Sequence, residues 1–305
     1  MKVTKALRDL LKRDEVLITL GAHDALSAKI IEKAGIQAII TAGFGISASH
    51  LGKPDAELYT MTENLAIVRN MVFSVGIPII ADLDTGYGNA INVIRTVKEF
   101  ERAGCAGGVL EDQLAPKRCP ACVNAVEIIP LDEAVGKIKA AVDAREDSDF
   151  LIVGRTDTSG SEAVDRANAY FEAGADMVMF ISKAFPSMPD LENQSKKIEG
   201  PFCLNFFEGL HYPSWLRGEW KIEDLKKIGV KILNYPWVLL FAATQAMQEV
   251  AVHLARHRTV RGLEKPARMS HEDFIDLIGF PQISALQMKY MGSPKPGVAR
   301  KDFKS

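Results

Sequence analysis

The sequence predicts an α/β protein built on a single (β/α)8 barrel of the TIM type. Its 305 residues are 47% hydrophobic and 25% charged, which is typical of a globular chain that buries a large core. Eight short apolar runs that do not alternate with polar residues indicate strands buried on both faces of a parallel sheet. Helical segments separate these runs, and eight consecutive strand–helix units close into a barrel.

The eight predicted strands follow one another along the chain. They are residues 16–20, 38–41, 77–81, 107–110, 150–153, 177–181, 202–205 and 230–233. Five of them follow a predicted helix that ends at glycine, which adopts the left-handed conformation of a helix cap at low cost. An open, doubly wound sheet is the alternative, but no Gly-x-Gly-x-x-Gly follows the first strand.

Helices continue after the last strand. Residues 236–257 are predicted to form one long helix, and Ser270 opens a final helix that runs through Ile278. We therefore expect one domain over residues 1–305, with a C-terminal helical extension at about 258–291. The tail at 292–305 is rich in Lys, Pro and Gly, and we expect it to be mobile.

Charge and composition limit the classes of partner. A net charge of −2 provides no basic footprint for nucleic acid or anionic membrane, and no apolar run reaches the ~20 residues of a membrane span. The N-terminus lacks the apolar region of a signal peptide. Four cysteines in so long a chain do not indicate a disulfide scaffold, so we predict a cytoplasmic protein without nucleic-acid or membrane partners.

The most informative segment is residues 79–88, in which a buried strand brings Asp82 and Asp84 into a glycine-rich turn. Two carboxylates at the end of a buried strand need a compensating cation or hydrogen-bond donors, because desolvating a carboxylate is costly. Oxygen ligands favour Mg²⁺, or Mn²⁺, over zinc. The alternative is a helix N-cap combined with a surface salt bridge.

The other strand ends also carry polar groups, and in a barrel these ends meet at one face. Strand two ends in a glycine-rich turn that contains Gly43 and Phe44, whose backbone amides are suited to a carboxylate. Strands four, five and seven end at Glu111, Arg155 and Asn205. This set predicts a metal together with an anionic, oxygen-rich substrate.

The loop after strand four contains Lys117-Arg118-Cys119 and then Cys122. Adjacent cations lower the pKa of a thiol, which makes Cys119 a candidate for acid–base or nucleophilic chemistry. Three alternatives remain, namely half of a structural zinc site, a redox pair and an inert pair. No second Cys-x-x-Cys or spaced His pair completes a zinc site, and the context of a thioredoxin-type motif is missing.

On these residues the chain resembles the isocitrate lyase/phosphoenolpyruvate mutase superfamily, in particular its short-chain branch of 2-methylisocitrate lyase- and 2,3-dimethylmalate lyase-like proteins. The resemblance implies a barrel whose last helix is swapped onto a neighbouring subunit, within a homotetramer that is a dimer of dimers. The matching segments span nearly the whole chain: Gly21-Ala22-His23-Asp24-Ala25, Leu51-Gly52-Lys53-Pro54-Asp55, Ala81-Asp82-Leu83-Asp84-Thr85-Gly86-Tyr87-Gly88, Glu111-Asp112-Gln113, Lys117-Arg118-Cys119, Gly154-Arg155-Thr156-Asp157 and Asn205.

The resemblance also implies a ligand set for the metal, Mg²⁺ or Mn²⁺. Asp84 matches the direct ligand of the family. Asp82, Asp55 and Glu111 match the carboxylates that hold the metal-bound water molecules.

The substrate and the catalytic loop are assigned in the same way. Arg155 matches the arginine that binds the substrate α-carboxylate, assisted by the amides of Gly43 and Phe44, and Asn205 belongs to the same substrate-binding set. Lys117-Arg118-Cys119 matches the gating loop of the lyases, which makes Lys117, Arg118 and Cys119 catalytic candidates. Cys119 is the implied proton donor.

Several positions depart from the lyases of this branch. The pair Pro120-Ala121 replaces the Gly-His that follows Lys-Arg-Cys in those enzymes. Four further positions are apolar where the lyases carry polar side chains: Ile40, Ala42, Val109 and Ile181. A pocket with fewer donors and more hydrocarbon suits a less carboxylated, more alkylated substrate. This favours a 2,3-dimethylmalate-like substrate over 2-methylisocitrate.

The predicted function is a Mg²⁺-dependent carbon–carbon lyase that cleaves a 2-hydroxy dicarboxylate to an α-keto acid, such as pyruvate, and a carboxylate. Because the tyrosine of the family is Ile40 here, the base is either Glu111 or a metal-bound hydroxide. Three alternatives stay open. They are an oxaloacetate hydrolase or decarboxylase, a carboxyphosphonoenolpyruvate or phosphoenolpyruvate phosphonomutase, and a non-catalytic scaffold.

Overall fold

The structure is a computed structural model that describes residues 1–206, 221–263 and 269–291. The chain divides into two compact units, Met1–Gln248 and Glu249–Ser305. The tail predicted at 292–305 lies outside the described residues.

Eight parallel strands form a closed barrel in the first unit, which confirms the predicted fold. Each strand pairs with the next one in the sequence, and the last strand pairs with the first to close the ring. The strands are β1 Leu17–Ala22, β2 Ile39–Thr41, β3 Ile79–Asp82, β4 Gly107–Glu111, β5 Leu151–Thr156, β6 Met177–Ile181, β7 Phe202–Asn205 and β8 Val230–Tyr235.

All eight strands coincide with predicted apolar runs, but some of their ends differ. β3 begins after Pro78, two residues later than predicted, because proline has no N–H to donate to a neighbouring strand. β5 and β8 continue past their apolar runs to Thr156 and Tyr235. The hydrogen bonds between strands join backbone groups, so residues with polar side chains such as Arg155 and Asn234 can belong to a strand. An apolar pattern therefore predicts the end of such a strand too early.

Helices of the first unit alternate with the strands and pack against the outside of the barrel, except the first helix, whose buried Leu7 and Leu10 belong to the apolar cluster inside it. The buried sides of the helices and the outward-facing strand residues form one apolar cluster. The helices are α1 Val3–Leu11, α2 Ala25–Lys33, α3 Gly43–Ile46, α4 Met61–Ser74, α5 Ala90–Arg102, α6 Leu131–Ala144, α7 Gly160–Glu172, α8 Met188–Ser195 and α9 Ile222–Lys227.

The inside of the barrel changes from apolar to polar along the strands. Side chains of a strand alternate between its two faces, so every second residue points inward. The inner apolar cluster includes Leu17, Ile80, Val109, Val153, Cys203 and Ile232. The next inward positions along the same strands are Thr19, Asp82, Glu111, Arg155, Asn205 and Asn234. Because the strands are parallel, these polar side chains all converge at the carboxyl ends of the barrel.

Three helices follow the barrel strands: α10 Val238–His257, α11 His271–Leu277 and α12 Phe280–Met291. Among the described helices, α10 is the one that is long and apolar enough to cross a membrane, and 6% of that window is buried. α11 begins after Ser270, as predicted, and the Ser270 hydroxyl accepts a hydrogen bond from the Asp273 N–H (3.0 Å). α12 buries none of its residues.

One glycine is required at the seam where β1 meets β8. A Cβ added to Gly21 would lie 2.7 Å from the Pro236 Cα and closer still to its carbonyl oxygen. We expect Gly21→Ala to lower the free energy of unfolding by about 2–3 kcal/mol, because backbone atoms cannot yield as a side chain can. Gly136→Ala in α6 is the matched control, since an added Cβ there meets nothing within 4 Å. Thermal and urea unfolding measure the difference, and equal stability of the two variants would contradict it.

Candidate active site

A pocket opens at the carboxyl ends of the strands. Its walls combine polar groups from the strand ends with residues of the loop that follows β4. The polar residues of the pocket are Thr41, Asp55, Asp82, Lys117, Cys119, Arg155, Asn205 and Asn234. Most of the site residues predicted from the sequence therefore do lie in one place.

The centre of the site is the ammonium group of Lys117. Its Nζ lies 2.7 Å from Asp84 Oδ1, 3.2 Å from Asp55 Oδ2 and 3.9 Å from Glu111 Oε1. The Lys117 side chain is 2% exposed. Burial alone disfavours the ammonium, but the surrounding carboxylates outweigh this cost, and the pKa of Lys117 is raised above its ordinary value. Lys117 therefore acts as the positive charge of the acidic cluster.

Asp84 is the most enclosed of these carboxylates. Tyr59 and Lys117 both donate to its Oδ1, and the Tyr87 hydroxyl donates to its Oδ2 (2.6 Å). Burial raises the pKa of Asp84 to about 7, with the neighbouring Asp82 and Asp55 adding to the effect and Lys117 opposing it. The backbone of Asp84 has a φ of 50°, a conformation that is rare for a residue other than glycine.

Sequence reasoning missed both tyrosines. Tyr87 lies three residues after Asp84, the proposed metal ligand, in the same glycine-rich turn. Its position in the sequence could therefore have indicated a contact with Asp84. Tyr59 lies in a segment without a motif, and its hydroxyl reaches Asp84 only through the fold.

Asp82 is fixed by backbone amides. Its Oδ2 accepts from the Gly43 N–H (3.1 Å), and its Oδ1 accepts from the Asp84 N–H (3.1 Å). The Gly43 amide, which we predicted to bind a substrate carboxylate, is directed at a protein carboxylate instead. Glycine is needed there because an added Cβ would lie 2.8 Å from Asp82 Oδ2. Phe44 lies in the pocket wall, and its ring packs 4.7 Å from that of Trp237.

Arg155 connects the acidic cluster to the other side of the pocket. Its Nη1 lies 2.9 Å from Glu111 Oε2, and its Nε and Nη2 donate to the two oxygens of Asp157 (2.9 and 2.8 Å). Asp157 also accepts from the Gln113 amide. Two guanidinium nitrogens of Arg155 are thus held by the Asp157 carboxylate, which fixes the orientation of Arg155 in the pocket wall.

The loop with Lys117-Arg118-Cys119 is folded onto the pocket. Its backbone is held at three points, since Lys117 N–H donates to Glu57 Oε2, Arg118 N–H to Gln113 Oε1 and Cys119 N–H to the Asp55 carbonyl. The cation at position 117 points inward, toward the carboxylates of Asp84 and Asp55. The Arg118 side chain is exposed and lies outside the pocket, so the structure does not bring it to the site.

Cys119 is 5% exposed and packs with Ile181 and Trp237. Burial raises the pKa of its thiol to about 12. The prediction that neighbouring cations lower this pKa is therefore wrong, since Lys117 faces the carboxylates and Arg118 faces solvent. At neutral pH the structure holds Cys119 as a neutral thiol, which is a proton donor rather than a nucleophile.

Comparison with known proteins shows the family of this chain. The model of the phosphoenolpyruvate phosphomutase family matches residues 7–255. The chain is 40% identical over 298 residues to the 2,3-dimethylmalate lyase of Eubacterium barkeri, which covers 95% of this chain and 99% of that protein. The chain belongs to the phosphoenolpyruvate phosphomutase family.

Solved structures of this family share the fold over almost the full length. Oxaloacetate acetylhydrolase in complex with the inhibitor 3,3-difluorooxalacetate aligns with a TM-score of 0.86 at 29% identity, covering 96% of this chain and 99% of that chain. Phosphonopyruvate hydrolase in complex with oxalate and Mg²⁺ aligns with a TM-score of 0.83 at 32% identity, covering 95% and 100%.

The donor set of this phosphoenolpyruvate phosphomutase family member suits a hard divalent cation. Its oxygens are carboxylates, and Asp55 Oδ1 is buried without a hydrogen-bond partner in the described structure. Both oxygens of Glu111 likewise lack hydrogen bonds there, although Arg155 and Lys117 lie close in distance. Over the described ranges, no three His, Cys, Asp or Glu side chains are grouped as a ready metal site. The Lys117 ammonium lies between the carboxylates of Asp84, Asp55 and Glu111. A metal bound by these carboxylates would have to displace it.

The folded loop predicts unequal reactivity of the cysteines. Cys122 is exposed, whereas Cys119, Cys105 and Cys203 are buried. With iodoacetamide at pH 7.5, alkylation of Cys122 should be at least ~10-fold faster than that of Cys119, since only thiolates react and burial disfavours the thiolate. Peptide mass spectrometry over a time course measures both rates. Equal rates at the two cysteines would contradict the folded loop, and Cys105 serves as the internal buried control.

Proposed function

We propose that the protein is a carbon–carbon lyase that cleaves a 2-hydroxy dicarboxylate to an α-keto acid, such as pyruvate, and a second carboxylate. The observation that carries this proposal is the composition of one pocket, in which a carboxylate cluster and the neutral thiol of Cys119 share the same space. The cluster suits activation of a hydroxyl, and the thiol suits protonation of a leaving carbanion.

The apolar part of the pocket supports a substrate with alkyl substituents. Ile40, Ala42, Val109, Met179 and Trp237 line it. Hydrocarbon walls reward methyl groups and leave an extra carboxylate without partners. A 2,3-dimethylmalate-like substrate fits this wall better than 2-methylisocitrate, which has one more carboxylate, and the 40% identical relative carries the name 2,3-dimethylmalate lyase.

We further propose that Mg²⁺, or Mn²⁺, is the cofactor. Asp84 would be the main ligand, with Asp82, Asp55 and Glu111 around it, after the Lys117 ammonium moves away. When bound, such a metal lowers the pKa of a coordinated hydroxyl.

The side chains of the chain itself divide the remaining work. Arg155 and the Phe44 amide orient the α-carboxylate, while Glu111, beside Arg155, takes the proton of the 2-hydroxyl. The C2–C3 bond then breaks, and its electron pair is delocalised into the carboxylate of the leaving fragment. Cys119 donates its proton to that carbanion, and the folded loop excludes water that would compete for the reaction.

A hydrolase or decarboxylase acting on oxaloacetate is the second candidate. The 0.86 TM-score alignment with oxaloacetate acetylhydrolase favours it, because that enzyme uses the same fold over the same length. Oxaloacetate has no alkyl branch, so the apolar wall would contribute little to its binding. Phosphonomutase chemistry is less favoured, since the loop carries Lys-Arg-Cys.

We also propose a homotetramer in which C-terminal helices pack against neighbouring copies. α12 leaves Phe280, Ile283, Leu286 and Tyr290 exposed, and an apolar face of this kind is typical of a surface covered by a partner. We propose that a second copy of the chain, and not a membrane or a nucleic acid, covers this apolar face of α12. A cytoplasmic location belongs to the same proposal.

Removal of the metal ligand tests the cofactor. Asp84→Asn should abolish turnover and weaken Mg²⁺ binding by at least ~10-fold, because an amide lacks the charge that holds a hard cation. Isothermal titration with MgCl₂ measures the affinity independently of activity. The exposed Asp143→Asn in α6 is the matched control and should behave like the parent. Unchanged Mg²⁺ affinity in Asp84→Asn would exclude the assignment.

A panel of substrates with two cysteine variants tests the reaction. The parent should release pyruvate from 2,3-dimethylmalate faster than from 2-methylisocitrate, and should release little oxalate from oxaloacetate. Cys119→Ser should lower kcat by about 10²–10⁴, since a hydroxyl is a poorer acid than a thiol at this position. Cys122→Ser, assayed with reductant, should keep the parent rate.

Other outcomes redirect the proposal. Oxalate as the main product from oxaloacetate would favour the hydrolase. Conversion of phosphonopyruvate, followed by ³¹P NMR, would favour the mutase. Equal activity of the two cysteine variants would remove Cys119 from the mechanism.

A further inference from the structure

Three polar side chains form a chain of hydrogen bonds across the inside of the barrel. Thr19 on β1, Asn234 on β8 and Asn205 on β7 stand on adjacent strands, and Asn234 is paired in register with both of the others. Thr19 is 0% exposed, Asn234 1% and Asn205 7%. The layer beneath them is apolar, so each amide depends on the next for its hydrogen bonds.

The chain of hydrogen bonds has a direction. The Thr19 hydroxyl donates to Asn234 Oδ1 (2.9 Å), and Asn234 Nδ2 donates to Asn205 Oδ1 (2.7 Å). The oxygen of Asn205 is therefore occupied, which leaves its Nδ2 as the free end. Across the described residues, no group accepts a hydrogen bond from this nitrogen, and Asn205 lines the pocket.

Asn205 Nδ2 is therefore available to donate to an acceptor of a ligand in the pocket. Asn205 stands two strands around the barrel from Arg155, with β6 between them. A substrate with acidic groups at both ends can meet the guanidinium with one group and the amide with the other.

We propose that Thr19 and Asn234 are positioning residues that hold the Asn205 amide with its N–H toward the pocket, so that it receives the second carboxylate of the substrate. This inference rests on the proposed diacid substrate. Thr19 lies outside the pocket lining, and the oxygen and nitrogen of the Asn234 amide, which is in the lining, are both engaged in the chain of hydrogen bonds. Their effect is to make this end of the pocket a hydrogen-bond donor, because rotation of the Asn205 amide would present an acceptor and repel a carboxylate.

The decisive variant is Asn234→Asp. A carboxylate at this position can only accept, so Asn205 must turn its Nδ2 toward it and its oxygen toward the pocket. The probes are 2,3-dimethylsuccinate, which lacks the hydroxyl needed for cleavage, and its monoamide. By isothermal titration, Asn234→Asp should weaken binding of the diacid by ~10–100-fold, the usual effect of losing a hydrogen bond to a charged group. The monoamide should lose less than about threefold, because its NH₂ can donate to the turned oxygen.

Thr19 provides a second test that does not add a charge. Thr19→Val removes the hydroxyl and frees the Asn234 amide, so the diacid should bind about fivefold more weakly. Thr19→Ser keeps the hydroxyl and should restore parent binding. Thr4→Val is the matched control in α1, since it removes a buried hydroxyl that bonds Asp147 (3.0 Å) at a position outside the pocket lining. Circular dichroism melting curves verify that each variant is folded.

The outcomes separate this inference from the proposed reaction. Equal losses for diacid and monoamide in Asn234→Asp would overturn it, as would identical behaviour of Thr19→Val and Thr19→Ser if Asn234→Asp does not fold. A parent that does not bind the diacid would also overturn it. A parent that binds the diacid with the expected ratios, but cleaves no 2-hydroxy dicarboxylate, would reject the lyase proposal and support the positioning role.

Discussion

The contact between the Lys117 ammonium and the carboxylates of Asp84 and Asp55, at 2.7 and 3.2 Å, is the interaction on which the rest of the pocket depends. A carboxylate buried without a cation costs several kcal/mol, and breaking a buried pair typically costs about 3–5 kcal/mol. The three acidic groups around this lysine are tolerable at the barrel mouth because its ammonium lies 2.7–3.9 Å from each of them. The same balance explains why a divalent metal and this lysine would compete for one position.

The position of Lys117 also determines the shape of the loop. An inward lysine draws its backbone to Glu57, and this places Cys119 against the Asp55 carbonyl and the apolar wall. The inward position of Lys117 therefore compensates the carboxylates, holds the loop against the pocket and buries the Cys119 thiol at the same time. Any change that moves the lysine outward would expose Cys119 and lower the cost of forming its thiolate.

Along the barrel axis, one layer of apolar inward-facing side chains is followed by one layer of polar side chains at the carboxyl ends of the strands. The lower inward positions fill the barrel with hydrocarbon, and the next ones include Asp82, Glu111, Asn205 and Asn234. Because hydrocarbon also reaches the pocket through residues such as Ile40 and Val109, the site combines a charged end with an apolar wall. Such a combination selects acids that carry alkyl groups. Within it, the hydrogen-bonded line of Thr19, Asn234 and Asn205 gives the remaining polar end a defined direction.

The sequence by itself predicted the barrel and the meeting of Asp82, Asp84, Glu111, Arg155 and Asn205, because eight apolar strands separated by helices form a parallel sheet whose carboxyl ends lie on one side. It did not determine where Lys117 and Arg118 point, nor that the Gly43 amide serves Asp82. Asp55 and Lys117 are 62 residues apart, and Thr19 and Asn234 are 215 apart. Only the closed barrel brings such pairs together, since burial and competition among neighbours decide which contacts form, and no local pattern of residues encodes them.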